Sequence, residues 1–352
     1  KTIRLQKIQG KEPIDISASL DLQKQTADLT ILAEDFYPST FGTFYGKIPG
    51  IEPWLTTRIS GIAEGTYDFA SNRLLYDLDI EAYADNEVLP FPVYADIDAG
   101  GDLEQVRADR VVVQTYRGTI VYAGLFTFSN FMPSGVCTLI DVRVEEDYPV
   151  SGTFTLRPYK NLLSIKSKSV TVAESRFTGI NSYLGILDGE YELRLQASVG
   201  NDTESKLSFE GNLTSGTENF LQGALEMKNC SAAEIISLLP VPVEKQQMQP
   251  YLINTEVFFT TDFKQYAYVS PFFSVSNSKE EKKEITLSVA GNSETIEISQ
   301  IEGQWEDIFA SGTLTVDFTD KRSLNFESRL RVNGFDYSFQ GILKHTVGLR
   351  LP

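Results

Sequence analysis

Histidine is nearly absent from this chain. The 352 residues include one histidine, His345, two cysteines, two tryptophans and three methionines. A single histidine beside Lys344, with no nucleophile motif around it, reads as a surface residue and not as a general base. The sequence also lacks a Gly-x-Ser-x-Gly elbow, a phosphate-binding loop, a His-Glu-x-x-His pair and a dinucleotide fingerprint. The acidic clusters Glu145-Glu146-Asp147 and Glu280-Glu281 do not follow the ligand spacing of a calcium loop. These absences point away from an enzyme and imply neither cofactor nor metal. Cys137 and Cys230 are too far apart in the chain for a metal or redox motif. Two separate, semi-buried thiols are the favoured reading, and a single bridge is the alternative.

Long hydrophobic runs are missing too. The stretch from Ile235 to Val241 is interrupted by Ser237 and Pro240, far short of the roughly 20 apolar residues a spanning helix needs. The chain opens on Lys1-Thr2-Ile3 with no leader, so the expectation is a segment of something longer, with any anchor outside it. Basic residues are in deficit: 31 Lys and Arg against 48 Asp and Glu leave a formal charge of −17. That field repels phosphate backbones, which argues against nucleic acid, and weakens docking on an anionic membrane face. Asn201, Asn212 and Asn229 stand in glycosylation sequons, which matter only in a eukaryotic secreted chain.

What the chain has is alternation. Phe (22) and Tyr (16) are abundant, a composition that suits pleated strands. Ile14, Ile16, Ala18 and Leu20 alternate with polar residues, as do Tyr76, Leu78, Ile80, Ala82 and Ala84. The same period runs through Tyr191, Leu193, Leu195, Ala197 and Val199, through Leu314, Val316 and Phe318, and through Leu324 and Phe326. Each stretch has one apolar and one wet face, the pattern of half-buried antiparallel strands. The uninterrupted apolar strands of a helix-covered parallel sheet are absent.

Helical pattern is scarce. Ser231-Ala-Ala-Glu234 has capping-box spacing and precedes Ile235, Ile236, Leu238 and Leu239, which predicts a two-turn helix over residues 231–239. Glu52 to Ser60, with Pro53 near its start, is a weaker helix candidate. Small residue, Gly, polar residue and alternating apolars recur from Gly65, Gly118, Ser134, Ser151, Ser311 and Gln340, and predict glycines at strand starts. Ser276 to Glu284 reads as a hairpin tip, and the apolar phase change between Ile165 and Val170 predicts a bulge.

The meander of one-sided strands, the recurring Ser-Gly starts and the passage Phe258-Phe259-Thr-Thr-Asp262-Phe263 through Tyr266 to Phe273 together resemble the TamB and AsmA-like repeat proteins of double-membrane bacteria. The resemblance spans nearly the whole chain and lies in texture; no signature motif carries it. It implies an all-β fold over residues 1–352, a long curved sheet forming an apolar trough (a β-taco) with one or two short helices. The implied function is a periplasmic bridge segment that conducts phospholipid between the two membranes, anchored to the inner membrane through a missing N-terminal part. Its partners would be phospholipid acyl chains and an outer-membrane barrel. Tyr191, Leu193, Leu195, Leu314, Val316, Phe318, Leu324, Phe326 and Phe339 are the expected groove lining. Ile235, Ile236, Leu238 and Leu239 are expected to form a plug or, alternatively, an end cap. Two other functions stay open: outer-membrane protein assembly by an edge strand, and a secreted β-sandwich adhesin.

Overall fold

A computed structural model describes residues 2–6, 13–41, 56–85, 92–129, 132–143, 148–187, 190–200, 204–214, 219–238, 245–279, 283–317, 319 and 323–344. They divide into two compact units, Lys1–Leu163 and Ser164–Pro352. The fold is all-β, with about two-thirds of the chain in strands and only short helices.

The first unit contains β1 (Thr2–Gln6), β2 (Ile14–Asp21), β3 (Thr26–Phe36), β4 (Arg58–Asp68), β5 (Arg73–Ala84), β6 (Val93–Gly101), β7 (Gln105–Thr115), β8 (Gly118–Thr127), β9 (Met132–Arg143) and β10 (Pro149–Tyr159). β11 (Leu162–Val172) spans the division. The second unit continues with β12 (Ser175–Leu187), β13 (Glu190–Val199), β14 (Lys206–Thr214), β15 (Phe220–Ser231), α1 (Ala232–Ile236), α2 (Lys245–Met248), β16 (Tyr251–Thr261) and β17 (Tyr266–Asn277). It ends with β18 (Lys283–Asn292), β19 (Thr295–Trp305), β20 (Ile308–Asp317), β21 (Ser323–Val332) and β22 (Phe335–Lys344). Each strand from β1 to β10 pairs antiparallel with the next. The same holds from β12 to β22. Each unit is thus a curved, unclosed meander whose sequence neighbours are spatial neighbours.

Alternation in sequence becomes alternation in burial. In β5 burial alternates strictly from Leu74 to Ala82: Leu74, Tyr76, Leu78, Ile80 and Ala82 are half-buried, and Asp77, Asp79 and Glu81, with Leu75, are exposed. Bulges then bend the strands. In β3, β9 and β15 a residue in the left-handed region (Asp35, Asp141, Asn229; φ near +50) sits at a register shift. The neighbouring strand supplies an acceptor for its N–H: Ser60 Oγ for Asp35 (2.9 Å), Ser151 Oγ for Asp141 (2.9 Å) and Asn254 Oδ1 for Asn229 (2.8 Å). Each bulge satisfies a donor the ladder drops and swaps the parity of the apolar residues, as between Ile298 and Ile301 in β19. In β11, burial follows odd positions to Ser167 and even positions from Val170, where the sequence changes phase.

The hairpin tips use acidic and amide side chains. Asp21, Asp68, Asp102, Asp262 and Asn292 each accept two backbone N–H bonds within their own turn. These bonds hold the carboxyls of Asp21, Asp68 and Asp262 below the usual aspartate range, with the Ser71 hydroxyl leading at Asp68.

Three expectations need correction. Gly65, Gly135, Gly152, Gly312 and Gly341 lie inside strands and not at their starts; only Gly118 opens one. At several the reason is steric. A Cβ at Gly341 would strike the Phe326 ring, and one at Gly135 or Gly312 would strike a carbonyl oxygen of the neighbouring strand (Ala123 or Arg329); the same holds for the rings of Phe259 over Gly223 and Tyr268 over Gly291. The capping box does not form: Ser231 makes no side-chain cap hydrogen bond, and Glu234 accepts from the Arg176 N–H (3.1 Å) of β12. Of the candidate helix at Glu52 to Ser60, Arg58 to Ser60 belong to β4, because their alternation continues the strand; residues 52–55 lie outside the described set.

Candidate functional site

In an antiparallel pair, residues directly opposite share a face. In the second unit one unbroken row runs Leu193, Gly211, Gly223, Phe259, Tyr268, Gly291, Ile296, Val316, Phe326 and Gly341, from β13 to β22. A second row on the same face runs Val289, Ile298, Leu314, Ser328 and Phe339. Tyr191 and Leu195 flank Leu193 on β13. Tyr191, Leu193, Leu195, Leu314, Val316, Phe326 and Phe339 therefore lie on one face. Phe318 falls outside the described residues, and of Leu324 only the strand position is described. Thr313, Thr315 and Glu327 are exposed on the opposite face. The sequence reading missed Phe259, Tyr268 and Ile296; their signal was an aromatic or apolar residue opposite a strand glycine.

The first unit has a face of the same kind: Ala33, Gly61, Ile80, Ile97, Val111, Tyr122, Cys137 and Phe154 follow one another across β3 to β10. Gly61 (φ +134) approaches β5 so closely that a Cβ would strike the Asp79 carbonyl oxygen.

These faces are only partly covered. Leu193 and Tyr191 are each 37% exposed and Phe339 is 50% exposed. Among the described residues the strands pack against their ladder neighbours, so the sheet within each unit is one layer, with α1 on part of the second. Polar atoms on the apolar side are turned inward: Thr255 and Ser270 bond each other (2.9 Å) and the Phe272 carbonyl, and Ser328 donates to the Thr313 carbonyl (3.3 Å). Burial pushes the Tyr76, Tyr122 and Tyr268 phenols and the Cys137 thiol above their ordinary values, so they stay neutral at pH 7. Lys283, opposite Trp305, is the charged group this register brings to the face. Its ammonium lies over the Trp305 ring (5.0 Å) and pairs with Glu306 (3.4 Å).

Helix α1 covers one place. Ala232 and Ile235 are buried with Val199, Leu207, Cys230 and Ile253, and Leu195, Leu225, Met227 and Phe273 pack around them. The fully buried Ser175 hydroxyl holds the helix by bonding the Glu234 carbonyl and the Ser237 hydroxyl (2.5 Å each). Ile236 and Leu238 are half-buried, and Leu239 lies outside the described residues. Cys137 and Cys230 are both free.

A depression of about 660 Å³ in the second unit is on the opposite face, between Glu192, Arg194, Glu210, Gln222, Phe258 and Thr260. Small residues such as Ala224 and Ala267 leave room there, whereas rings and branched chains fill the apolar side. Arg194 is engaged by Glu192 (2.7 Å). Among the described residues no cluster of His, Cys, Asp and Glu could hold a metal ion, and no helix is long and apolar enough to cross a membrane. No family model, no curated protein and no solved structure matches the chain.

Proposed function

We propose that this chain is a segment of a periplasmic lipid bridge, similar to TamB, whose apolar strand faces carry phospholipid tails between two membranes without catalysis. The observation that supports this most is the half-buried row from Leu193 to Phe326, which runs unbroken over nine strands and on which, among the described residues, no second sheet lies. A β-sandwich adhesin would bury such a face. A water-exposed strip of this length is costly unless something apolar lies on it. A sixteen-carbon chain leaving water gains about 12 kcal/mol at roughly 0.8 kcal/mol per methylene. Head groups would remain at the strand ends.

A second reading, templating of an outer-membrane strand, has one supporting feature. β22 is a ten-residue edge strand with Phe335, Tyr337 and Phe339 exposed, the sort of edge that accepts another strand.

Solvent extraction and mass spectrometry of the purified protein should yield phospholipid. In parallel, Val316→Asp puts an unpaired carboxylate in the row. It should leave the circular dichroism spectrum intact and abolish capture of a phospholipid bearing a photoreactive acyl chain. A folded variant that captures as well as the parent removes the row from the conduit.

A further inference from the structure

Four successive hairpins on one rim of the first unit share a feature that the strand pattern does not require. The turns after β2, β4, β6 and β8 present Leu22, Phe69, Leu103 and Phe128, which are 54%, 53%, 62% and 38% exposed. In three of them an aspartate precedes the apolar residue, and both of its turn N–H bonds go to one carboxylate oxygen: Gln23 and Lys24 to Asp21, Ala70 and Ser71 to Asp68, Glu104 and Gln105 to Asp102. The aspartates are therefore spent on closing the turns, and the residue displayed at the tip is apolar.

The tips continue the apolar face. Phe69 meets Tyr67 edge to face (5.0 Å) and Phe128 meets Phe126 (6.0 Å). Register places Tyr67 opposite Ala27 and Phe126 opposite Val106, on the apolar side. Backbone bonds join the turns in pairs, from Phe69 N–H to the Gln25 carbonyl and from Phe128 N–H to the Glu104 carbonyl (2.9 Å each). Tips two strands apart recur about every 10 Å, close enough for one flexible chain to touch successive residues. Among the described residues at the other ends of these strands, two arginines sit against tyrosine rings. Arg58 lies over Tyr83 (5.2 Å) beside Asp35 (3.5 Å), and Arg117 lies over Tyr116 (5.5 Å) in the turn after β7.

We propose that Leu22, Phe69, Leu103 and Phe128 form an apolar lip over which the acyl chains of a phospholipid pass from solution or a bilayer onto the face of the first unit. The inference rests on the lipid-bridge reading and adds the side from which the face is loaded. The lip lowers the barrier because a tail crossing it exchanges water for apolar side chains at each step.

The test separates loading from holding. Leu22→Ser, Phe69→Ser, Leu103→Ser and Phe128→Ser are combined in the full chain, and Tyr116→Ser on the other rim is the control. Loading is timed from phosphatidylcholine vesicles containing a phospholipid with a photoreactive acyl chain. Holding is the amount retained after loading from detergent. The combined variant should load at least tenfold more slowly and hold as much as the parent, and the control should match the parent in both. Equal loading rates overturn the lip and leave the lipid bridge standing. Equal losses in loading and holding also overturn it, because the residues would then be storage surface. A parent that holds no lipid by either route overturns both readings. If the combined variant misfolds, Phe69→Ser and Leu103→Ser alone decide the matter; each should slow loading about twofold, and parental rates in both overturn the lip.

Discussion

Leu193→Ala and Ile253→Ala distinguish an open face from a sealed core. Both delete apolar carbons from the same side of the second unit, but Leu193 is 37% exposed in the row and Ile253 is 6% exposed under α1. Leu193→Ala removes three carbons worth about 0.8 kcal/mol each when fully buried; scaled by the buried fraction, the loss is about 1.5 kcal/mol. No cavity forms, because solvent reaches the site. Ile253→Ala loses nearly the whole transfer energy and leaves a void, which puts it at about 3–4 kcal/mol. Urea titration followed by circular dichroism measures both as midpoint shifts at constant slope. Adding a short-chain phospholipid, which stabilises by binding the native state, should raise the midpoint of the parent and of Ile253→Ala more than that of Leu193→Ala. Equal costs for the two substitutions, with equal response to lipid, would refute the reasoning, because the row would then be as dry as the core beneath the helix.

Gly61→Ala should cost more than 3 kcal/mol, since it combines a forbidden φ with a clash on the Asp79 carbonyl. Gly334→Ala, also at positive φ but with nothing within 4 Å, should cost about 1 kcal/mol, and equal midpoint shifts would contradict the close-approach argument. Ser175→Ala leaves the α1 clamp without its hydroxyl and should cost about 1–3 kcal/mol, with faster amide exchange across Ala232–Ile236; unchanged protection there would show that packing alone holds the helix. The carboxyls of Asp21, Asp68, Asp262 and Asp317 are depressed in the folded state by turn hydrogen bonds. Their stabilisation is therefore complete above the unfolded aspartate pKa, near 4, and is lost as pH falls through the lower folded values. Asp68→Asn should flatten the stability curve below about pH 4 and lower stability near neutrality, with the smallest difference from the parent at the acid end.

Much of this structure was legible along the chain because a strand has a period of two, and a one-sided sheet writes that period directly into the residues. The alternation from Tyr76 to Ala84 determined a half-buried strand by itself, and the polar run at Ser276 to Glu284 determined the break between β17 and β18. The helix at Ser231 was visible in its apolar residues, but its cap was not. Glu234 bonds a strand 58 positions away, and no local spacing encodes that partner. Register was likewise invisible. That Leu193 and Phe326 lie in one row depends on every intervening pairing, and bulges at Asn229 and Gln300 switch which parity faces that side further along β15 and β19. The strand glycines read as turn formers because what they do, admitting a ring (Gly223, Gly291, Gly341) or the backbone (Gly61, Gly135, Gly312) of the next strand, belongs to a contact between strands. Local sequence sets which residues alternate. Only tertiary pairing decides which alternating sets join into one surface, because that choice is made by hydrogen bonds between strands and not along them.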